Sequence, residues 1–401
     1  MSIKYFLKKI KDVRIADLIA VLPMIVAIIL IPFYRKKYKK VWLVCEEPGE
    51  ARDNGFYFFK YLCEAHPEVD SYYAIQYDSV DYPRVSSLGK TVKHGSIKHW
   101  IMYFVGVCNI SSQKGGKPNA AICSFFELNH IFKPHNVFLQ HGVIKDNLVW
   151  LHADRTVLDL FVTSSVKEQR YVQEKYGYRP EQIIRTGLPR FDDLHNLNIK
   201  KNRILIMPTW RTWLRLKSER SSELDTELIN SDFIRHWLEF LNSNELRDLS
   251  DKYDLEIMFY PHRHMQPYVD QFLITNPRVK VASYDNYDIH ELLKSSEMLI
   301  TDYSSVYFDM VYMKKPVVFY QFDEENFRKF HYQEGYFDYH NNPFGKSFKN
   351  YEDVISNIEE IISNNYSVSL EYLDEHRYIF PYFDTNNSQR IYNEICALYN
   401  Q

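Results

Sequence analysis

Glycine is scarce, with 12 residues in 401, and neither G-x-G-x-x-G nor G-x-x-x-x-G-K-[ST] occurs anywhere. The glycine-rich fingerprints of dinucleotide-binding Rossmann enzymes and P-loop ATPases are therefore missing, so a phosphate site must be built by other means. No C-x-x-C links the cysteines, Cys45, Cys63, Cys108, Cys123 and Cys396. Odd in number and widely spaced, they read as reduced and cytosolic, not as a zinc or redox centre. There is no D-x-D motif, no repeat and no low-complexity segment. Charge of one sign is not in excess either: 49 Lys+Arg against 52 Asp+Glu gives a net charge of -3. That excludes a nucleic-acid binder relying on a global positive field. Charged residues at 25% and apolar residues at 45% argue against disorder and against a polytopic membrane protein.

One apolar run is present. Leu18 to Tyr34, LIAVLPMIVAIILIPFY, carries no charge and is slightly shorter than the roughly 20 residues that span a bilayer. Pro23 and Pro32 interrupt it. Lys4, Lys8, Lys9, Lys11 and Arg14 precede it, and Arg35, Lys36, Lys37, Lys39 and Lys40 follow it. It leads into RKKYKK rather than a small-residue cleavage site, so a signal peptide fits poorly. Residues 1–40 read as a membrane anchor, spanning or in-plane, with basic flanks that suit anionic lipid on the cytoplasmic face. Aromatic residues are abundant, with Tyr 32, Phe 26 and Trp 6, which suits broad apolar and ring-stacking surfaces.

After Lys40, short β-rich runs alternate with helical stretches, the pattern of α/β architecture. Strands are predicted at Val41–Cys45, Tyr72–Gln76, Val107–Ser111, Val137–Gln140, Leu160–Thr163 and Gln182–Arg185. Helices are predicted near Asn54–Ala65, Ile97–Phe104 and Val166–Tyr176. A second unit begins with the strand Ile204–Met207 and passes a charged loop-like stretch, Lys217 to Thr226, and a helix near Asp232–Tyr253. Its further strands are Glu256–Tyr260, Val279–Ala282, Met298–Thr301 and Val317–Tyr320. The polar NLNIKKN at Asn196 to Asn202 separates the units. The expected organisation is two doubly wound, Rossmann-like domains, 41–197 on the acceptor side and 198–370 on the donor side, with a cleft between them. C-terminal helices in 371–401 close it. Ligands then lie at the carboxyl ends of strands from both halves.

The unusual polar clusters fall just after these strands. Val137–Gln140 runs into His141-Gly142-Val143-Ile144-Lys145-Asp146, where glycine permits a tight turn with the histidine at the strand tip. A histidine suits proton abstraction because its ordinary pKa is about 6.5. Glu256–Tyr260 ends in Pro261-His262-Arg263-His264, giving either a second cleft histidine, a surface loop or a two-histidine metal site without further ligands at familiar spacing. Met298–Thr301 leads into Asp302-Tyr303-Ser304-Ser305 and a helical run, where Asp or Ser caps the helix and free N–H groups suit a phosphate. Ser305 and Asp309, four apart, share a helix face, and Asp309 is placed to hold a substrate hydroxyl or orient a histidine. Arg190, after Thr186-Gly187-Leu188-Pro189, and Arg211, after Pro208-Thr209-Trp210, join Lys145 as a cationic clamp for a diphosphate, since arginine's planar fork matches phosphate oxygens.

Taken in order, LQHG at Leu139–Gly142, TGLPRFD at Thr186–Asp192, MPTWR at Met207–Arg211, the PHRH histidine and TDYSSVYFDMVYMKKPVVFY at Thr301–Tyr320 resemble the CDP-glycerol glycerophosphotransferase family, the teichoic acid primases and polymerases. The likeness continues through FYQFDEENF and GYFDY, at Phe319–Phe327 and Gly335–Tyr339. It implies a GT-B fold, membrane attachment and metal-independent transfer of glycerol phosphate from CDP-glycerol to a hydroxyl of a lipid-linked glycan or growing polymer, releasing CMP. It makes His141 and His262 the essential histidines. It puts donor contacts on Gly142, Val143, Ile144, Lys145, Arg190, Thr209, Trp210, Ser304, Ser305 and Asp309; Arg211 is added from its charge. The family's Thr-Pro-Leu-Lys after HG is replaced by Val143-Ile144-Lys145-Asp146, so a threonine hydroxyl is missing and the lysine comes one place early. Primase, polymerase and capsule-type transferase stay open, as do a CDP-ribitol donor, nucleotide-sugar chemistry on the same fold, and a non-catalytic assembly factor.

Overall fold

The computed structural model describes residues 14–132, 135–214, 230–263, 265–266 and 272–399. Lys4 to Lys11, the stretch Lys217 to Thr226 and His264 lie outside the described residues. The first half is a seven-stranded sheet, all parallel, formed by β1 (Trp42–Cys45), β2 (Ser71–Ile75), β3 (Thr91–Lys93), β4 (Cys108–Ser111), β5 (His135–Phe138), β6 (Leu160–Thr163) and β7 (Ile183–Arg185), in the order β3-β2-β1-β4-β5-β6-β7. The second is a six-stranded parallel sheet of β8 (Arg203–Met207), β9 (Glu256–Phe259), β10 (Val279–Val281), β11 (Met298–Thr301), β12 (Val317–Tyr320) and β13 (Ser347–Phe348), ordered β10-β9-β8-β11-β12-β13. Central strands such as β1, β4, β6, β11 and β12 are buried at every position, as sheets with helices on both faces require. In both sheets the strand order reverses beside the first strand, the point where doubly wound folds open a crevice.

The halves share one core. Leu139, Val143 and Phe191 of the first pack in the same cluster as Tyr303, Tyr307, Phe308 and Tyr312 of the second. Phe191 stacks on Tyr312 at 4.2 Å and meets Phe380 edge-on at 5.9 Å. A fully buried aromatic side chain of this kind stabilises by about 1.5–3 kcal/mol. Arg52 of the first half donates to the carbonyls of Tyr284 (2.6 Å) and Tyr287 (3.1 Å) of the second, and Tyr284 Oη donates to Asp81 at 2.8 Å. The helix Leu370–Ile379 touches both halves: Tyr372 Oη donates to Lys315 O of the second at 2.8 Å, and Glu375 accepts from Lys167 Nζ of the first at 2.5 Å. The helix Asn387–Tyr399 returns to the first, its start capped by Asp192, which accepts from Asn387 N and Ser388 N.

Departures from the expected elements have local causes. The stretch 232–253 forms two helices, Asp232–Asn242 and Asn244–Tyr253, because Ser243 is extended and its Oγ caps the second, accepting from Leu246 N at 3.2 Å. β5 ends at Phe138, two residues early. The apolar N-terminal run is one helix, Ile15–Tyr38, whose most apolar 18 residues have a mean hydropathy of 2.6, and it continues through both prolines. Its stripe Asp17, Ala20, Met24, Ala27 and Tyr38 faces the protein, and Ala20, Met24, Ala27 and Tyr38 pack in one cluster with Trp100, Ile101 and Tyr103 of the helix Ile97–Val105. Asp17 accepts from Asn119 Nδ2 at 2.8 Å.

Candidate active site

The cleft is lined by strand exits from both sheets. After β5, Gln140 takes a left-handed conformation (φ 65°), which costs a non-glycine residue on the order of 1–3 kcal/mol. It is held there from three sides: Gln140 Nε2 donates to Val162 O and to Glu168 Oε1 (3.0 Å), and Gln140 O accepts from Asn54 Nδ2 (2.7 Å). The turn thus sits at Gln140 and not at Gly142. Gly142 serves close approach instead: a Cβ there would lie 2.8 Å from Ser305 Oγ and 3.7 Å from Arg190 Nη2. The HG turn of the first half therefore touches the TDYSS turn of the second.

His141 emerges with its side chain 68% exposed to the cleft while its Nδ1 rests 2.6 Å from Asp53 Oδ2. Gln113 Nε2, an amide donor, lies 2.8 Å from the same nitrogen and competes with Asp53 for it. The other Asp53 oxygen accepts from Arg190 Nη1 at 2.7 Å, and Arg190 Nη1 also donates to His141 O at 2.6 Å. Burial of the site works against a charged imidazole, but the charge and hydrogen bond of Asp53, with a further contribution from Asp309, outweigh it and the opposing Arg190, so the His141 pKa is raised. Burial works against the Asp53 carboxylate too, and His141 and Arg190 overcome it, so its pKa is lowered.

Arg190 completes the bridge between halves. Its Nε and Nη2 donate to Asp309 Oδ1 and Oδ2 at 2.6 and 2.8 Å, and its backbone N–H donates to Asn54 Oδ1 at 3.1 Å. The guanidinium is buried and committed on two edges, so it is no open phosphate fork as the sequence suggested. Asp309 likewise is fully buried and spent on Arg190. The helix after β11 is only Tyr307–Tyr312, so Ser305 precedes it and does not share a helical face with Asp309. Ser304 Oγ accepts from Val306 N at 3.3 Å within that turn.

The remaining expected residues form a second group. Thr209 N donates to Asp302 Oδ1 at 2.8 Å, tying the exits of β8 and β11 together. Thr209 Oγ1 is buried without a hydrogen bond within the protein. Trp210 stacks on His262 with ring centres 6.4 Å apart. The adjacent Arg263 pairs with Glu50, which brings the PHRH turn against the first half. Arg211 is a correction: it is fully buried behind this wall, its Nε and Nη2 donating to Asp323 at 2.8 and 2.9 Å, its Nη2 also pairing with Asp302 at 2.9 Å, its Nη1 donating to Thr209 O. Four neighbouring acceptors consume it, so it props the loop. Lys145 also differs from expectation. It is buried and paired with Asp146, whose other oxygen accepts from Arg328 Nη1 at 2.7 Å. Those two cations overcome the burial that would protonate Asp146 and hold its pKa low. Val143 and Ile144 are buried, and Ile144 N donates to Glu168. Among the described residues, no three His, Cys, Asp or Glu side chains cluster as metal ligands do.

Sequence reasoning missed Asp53 and Asn54, which start the helix Asn54–Ala65. A polar cluster follows β1 as one follows β5 and β8, and that signal was available in EEPGEARDN.

A family model described as CDP-Glycerol:Poly(glycerophosphate) glycerophosphotransferase matches residues 26–397. The minor teichoic acid biosynthesis protein GgaB of Bacillus subtilis (strain 168) is 32% identical over 374 residues, 90% of this chain and 40% of that protein. The teichoic acid poly(ribitol-phosphate) polymerase of Bacillus spizizenii is 26% identical over 261 residues, 58% of this chain and 36% of the polymerase. The chain thus spans about two fifths of the length of these relatives. Among solved structures, the wall teichoic acid polymerase TagF shares the fold with a TM-score of 0.66 at 18% identity, covering 96% of this chain and 98% of that one. A variant of that polymerase soaked with CDPG aligns with a TM-score of 0.64 at 16% identity, covering 96% and 99%.

Proposed function

The chain belongs to the CDP-glycerol:poly(glycerophosphate) glycerophosphotransferase family, and from that premise we propose that it transfers glycerol phosphate from CDP-glycerol to a hydroxyl of a lipid-linked glycan or growing poly(glycerol phosphate) chain in teichoic acid or capsule polymer synthesis. The observation that carries the reading is His141, exposed at a strand exit in the cleft with Nδ1 engaged by Asp53. That leaves Nε2 to take the acceptor's proton. The acceptor oxygen attacks the phosphorus that bears glycerol, the bond from that phosphorus to the bridging oxygen breaks, and CMP leaves. With Arg190, Arg211 and Lys145 committed to carboxylates, the departing phosphate is met by Ser304 and Ser305 at the β11 exit, by Thr209 Oγ1 and by His262. In this reading the transfer needs no metal ion, so EDTA leaves it unchanged.

Membrane association, at the cytoplasmic face, is part of the proposal; it is supported by the Ile15–Tyr38 helix, which docks along one narrow stripe while Ile15, Leu18, Leu22, Ile29 and Phe33 stay exposed. A helix about 36 Å long that is fastened sideways to the domain suits an in-plane anchor. Ribitol phosphate is a second donor reading, carried by the ribitol-phosphate polymerase relative.

The test is CMP release from CDP-glycerol and CDP-ribitol by the detergent-purified chain with a lipid-linked disaccharide or a glycerol-phosphate-primed acceptor, beside His141→Ala and His262→Ala. Acceptor-dependent release that both variants lose supports the proposal. No release from either donor overturns it.

A further inference from the structure

Asp53 stands where a helix cap belongs and does not cap. The sequence Asp53-Asn54-Gly55 opens the helix Asn54–Ala65, and an N-cap aspartate ordinarily accepts from the N–H groups of its first turn. Here the Asp53 side chain makes no cap hydrogen bond. Glu46, from the exit of β1, has taken over: its carboxylate accepts from Phe56 N at 2.7 Å, Arg52 N at 3.0 Å and Asp53 N at 3.1 Å. The missing side chain of Gly55 makes room, since a Cβ there would lie 2.8 Å from Glu46 Cγ. A second carboxylate thus frees the first to turn outward.

We propose that Asp53 is the positioning residue of the phosphotransfer base: its carboxylate fixes His141 as the Nδ1–H tautomer, turns Nε2 to the acceptor, and stabilises the imidazolium formed when the acceptor proton is taken. This rests on the reading of His141 as base. The carboxylate is held in place from two sides. Asp53 Oδ2 lies 2.6 Å from His141 Nδ1, and Oδ1 is pinned at 2.7 Å by Arg190, which is clamped in turn by Asp309. Asn54, the next residue, holds both Gln140 O and Arg190 N, so the carboxylate and the histidine turn move as one body. The groups facing His141 are Asp53 from the β1 exit, Gln113 from the β4 exit, Arg190 from the β7 exit and Asp309 from the second half. Arg190 opposes a proton on the ring, the Gln113 Nε2 amide donor at 2.8 Å opposes one on Nδ1, and the two carboxylates favour one; Asp53, closest to Nδ1 at 2.6 Å and charged, outweighs both.

The experiment is an NMR titration of histidine-labelled full-length chain in detergent, with the His141 signals assigned by their loss in His141→Gln, together with pH–rate profiles. Wild type should show neutral His141 protonated on Nδ1. In Asp53→Asn the ring should lose about tenfold in proton affinity, one pH unit. The sign follows: the base works when neutral, so the acid limb of the rate profile moves to lower pH while the plateau kcat falls at least tenfold. The KM for CDP-glycerol should stay within about threefold, and Asp53→Glu should recover part of kcat. A wild-type ring protonated on Nε2, which needs no variant to fold, overturns the inference. So does an Asp53→Asn chain whose His141 titration and rate profile match wild type. A wild type that titrates as expected but releases no CMP overturns the phosphotransfer reading and leaves the His141–Asp53 pairing standing.

Discussion

Arg190 and Asp309 meet in a two-pronged ion pair, 2.6 and 2.8 Å long, that crosses from one half of the molecule to the other with both partners buried. Removing one partner of a buried pair strands the other charge, which costs about 3–5 kcal/mol. Arg190→Met and Asp309→Leu should therefore each lower stability by that order in urea titrations, and the double variant should lose less than the sum of the two. Strict additivity would mean that the pair is uncoupled. Both variants should also lose CMP release, because Arg190 holds Asp53 and the His141 carbonyl.

Gly142 faces Ser305 across the same gap. A methyl group there would sit 2.8 Å from Ser305 Oγ, a short side chain that can turn aside. Gly142→Ala is thus expected to keep its folding free energy within about 1 kcal/mol, in the ordinary range for a tolerated substitution, while binding of CDP-glycerol weakens at least tenfold. Adding Ser305→Gly should not win that loss back, because it relieves the crowding only by removing the hydroxyl that meets the phosphate. Isothermal titration against CDP-glycerol checks both, and unchanged affinity in Gly142→Ala would remove the glycine from the donor site.

Arg211 separates a structural arginine from a catalytic one. Buried between Asp302 and Asp323, it should betray itself in unfolding rather than in turnover. Arg211→Met is expected to lose about 3–5 kcal/mol, and Arg211→Met with Asp323→Leu should be the more stable of the two. A variant that melts like wild type but fails to bind donor would return Arg211 to the cleft.

Asp193 gives the acid limit of the interface between the halves. It accepts from Lys294 Nζ at 2.8 Å and lies 3.3 Å from His290 Nε2 of the second half. Burial would raise its pKa, but the hydrogen bonds and charges of His290 and Lys294 prevail and depress it strongly. A depressed carboxyl stabilises the fold above its unfolded value of about 4, and that contribution disappears as pH falls through the folded value. Asp193→Asn should be less stable than wild type at pH 6 by about 1–3 kcal/mol, with the gap closing toward pH 3. A gap that widens on acidification would reverse the assignment.

How much of this was legible beforehand divides along physical lines. Strands buried on both faces announce themselves as continuous apolar runs, and helices such as Asn54–Ala65 by their periodicity, so the two sheets could be drawn from residue order. β3 and β13, three and two residues long at sheet edges, have too little pattern to detect. For the site, the rule that polar clusters after strands mark the cleft located His141, Arg190, Thr209, Ser305 and Asp309. It could not tell an arginine that meets a ligand from one already spent on carboxylates, because charge pairing across 119 residues, as between Arg190 and Asp309, leaves no local trace. Asp53 was hidden for a different reason: Asp-Asn-Gly at a helix start has a sufficient explanation as a cap, and only the presence of Glu46 in that role shows the aspartate to be free.

The N-terminal helix carries the last expectation. Leu22, Ile29 and Phe33 are 69%, 63% and 79% exposed, and they follow one another at spacings of seven and four, one side of the helix. The opposite stripe is fastened to the domain through Ala27, Tyr38 and the Asp17–Asn119 hydrogen bond. A side-on anchor depends on that outer row, each residue of which contributes about 1.5–3 kcal/mol when buried in lipid, and it depends on anionic headgroups through Arg35, Lys36, Lys37, Lys39 and Lys40. Leu22→Ser with Phe33→Ser should therefore reduce co-sedimentation with phosphatidylglycerol vesicles at least tenfold and leave thermal unfolding in detergent unchanged, because neither side chain touches the core. Raising salt should weaken wild-type binding without abolishing it. Alkaline carbonate extraction distinguishes the two anchor geometries: release of the wild-type chain supports the in-plane helix, and retention would mean that Ile15–Tyr38 leaves its dock and crosses the bilayer.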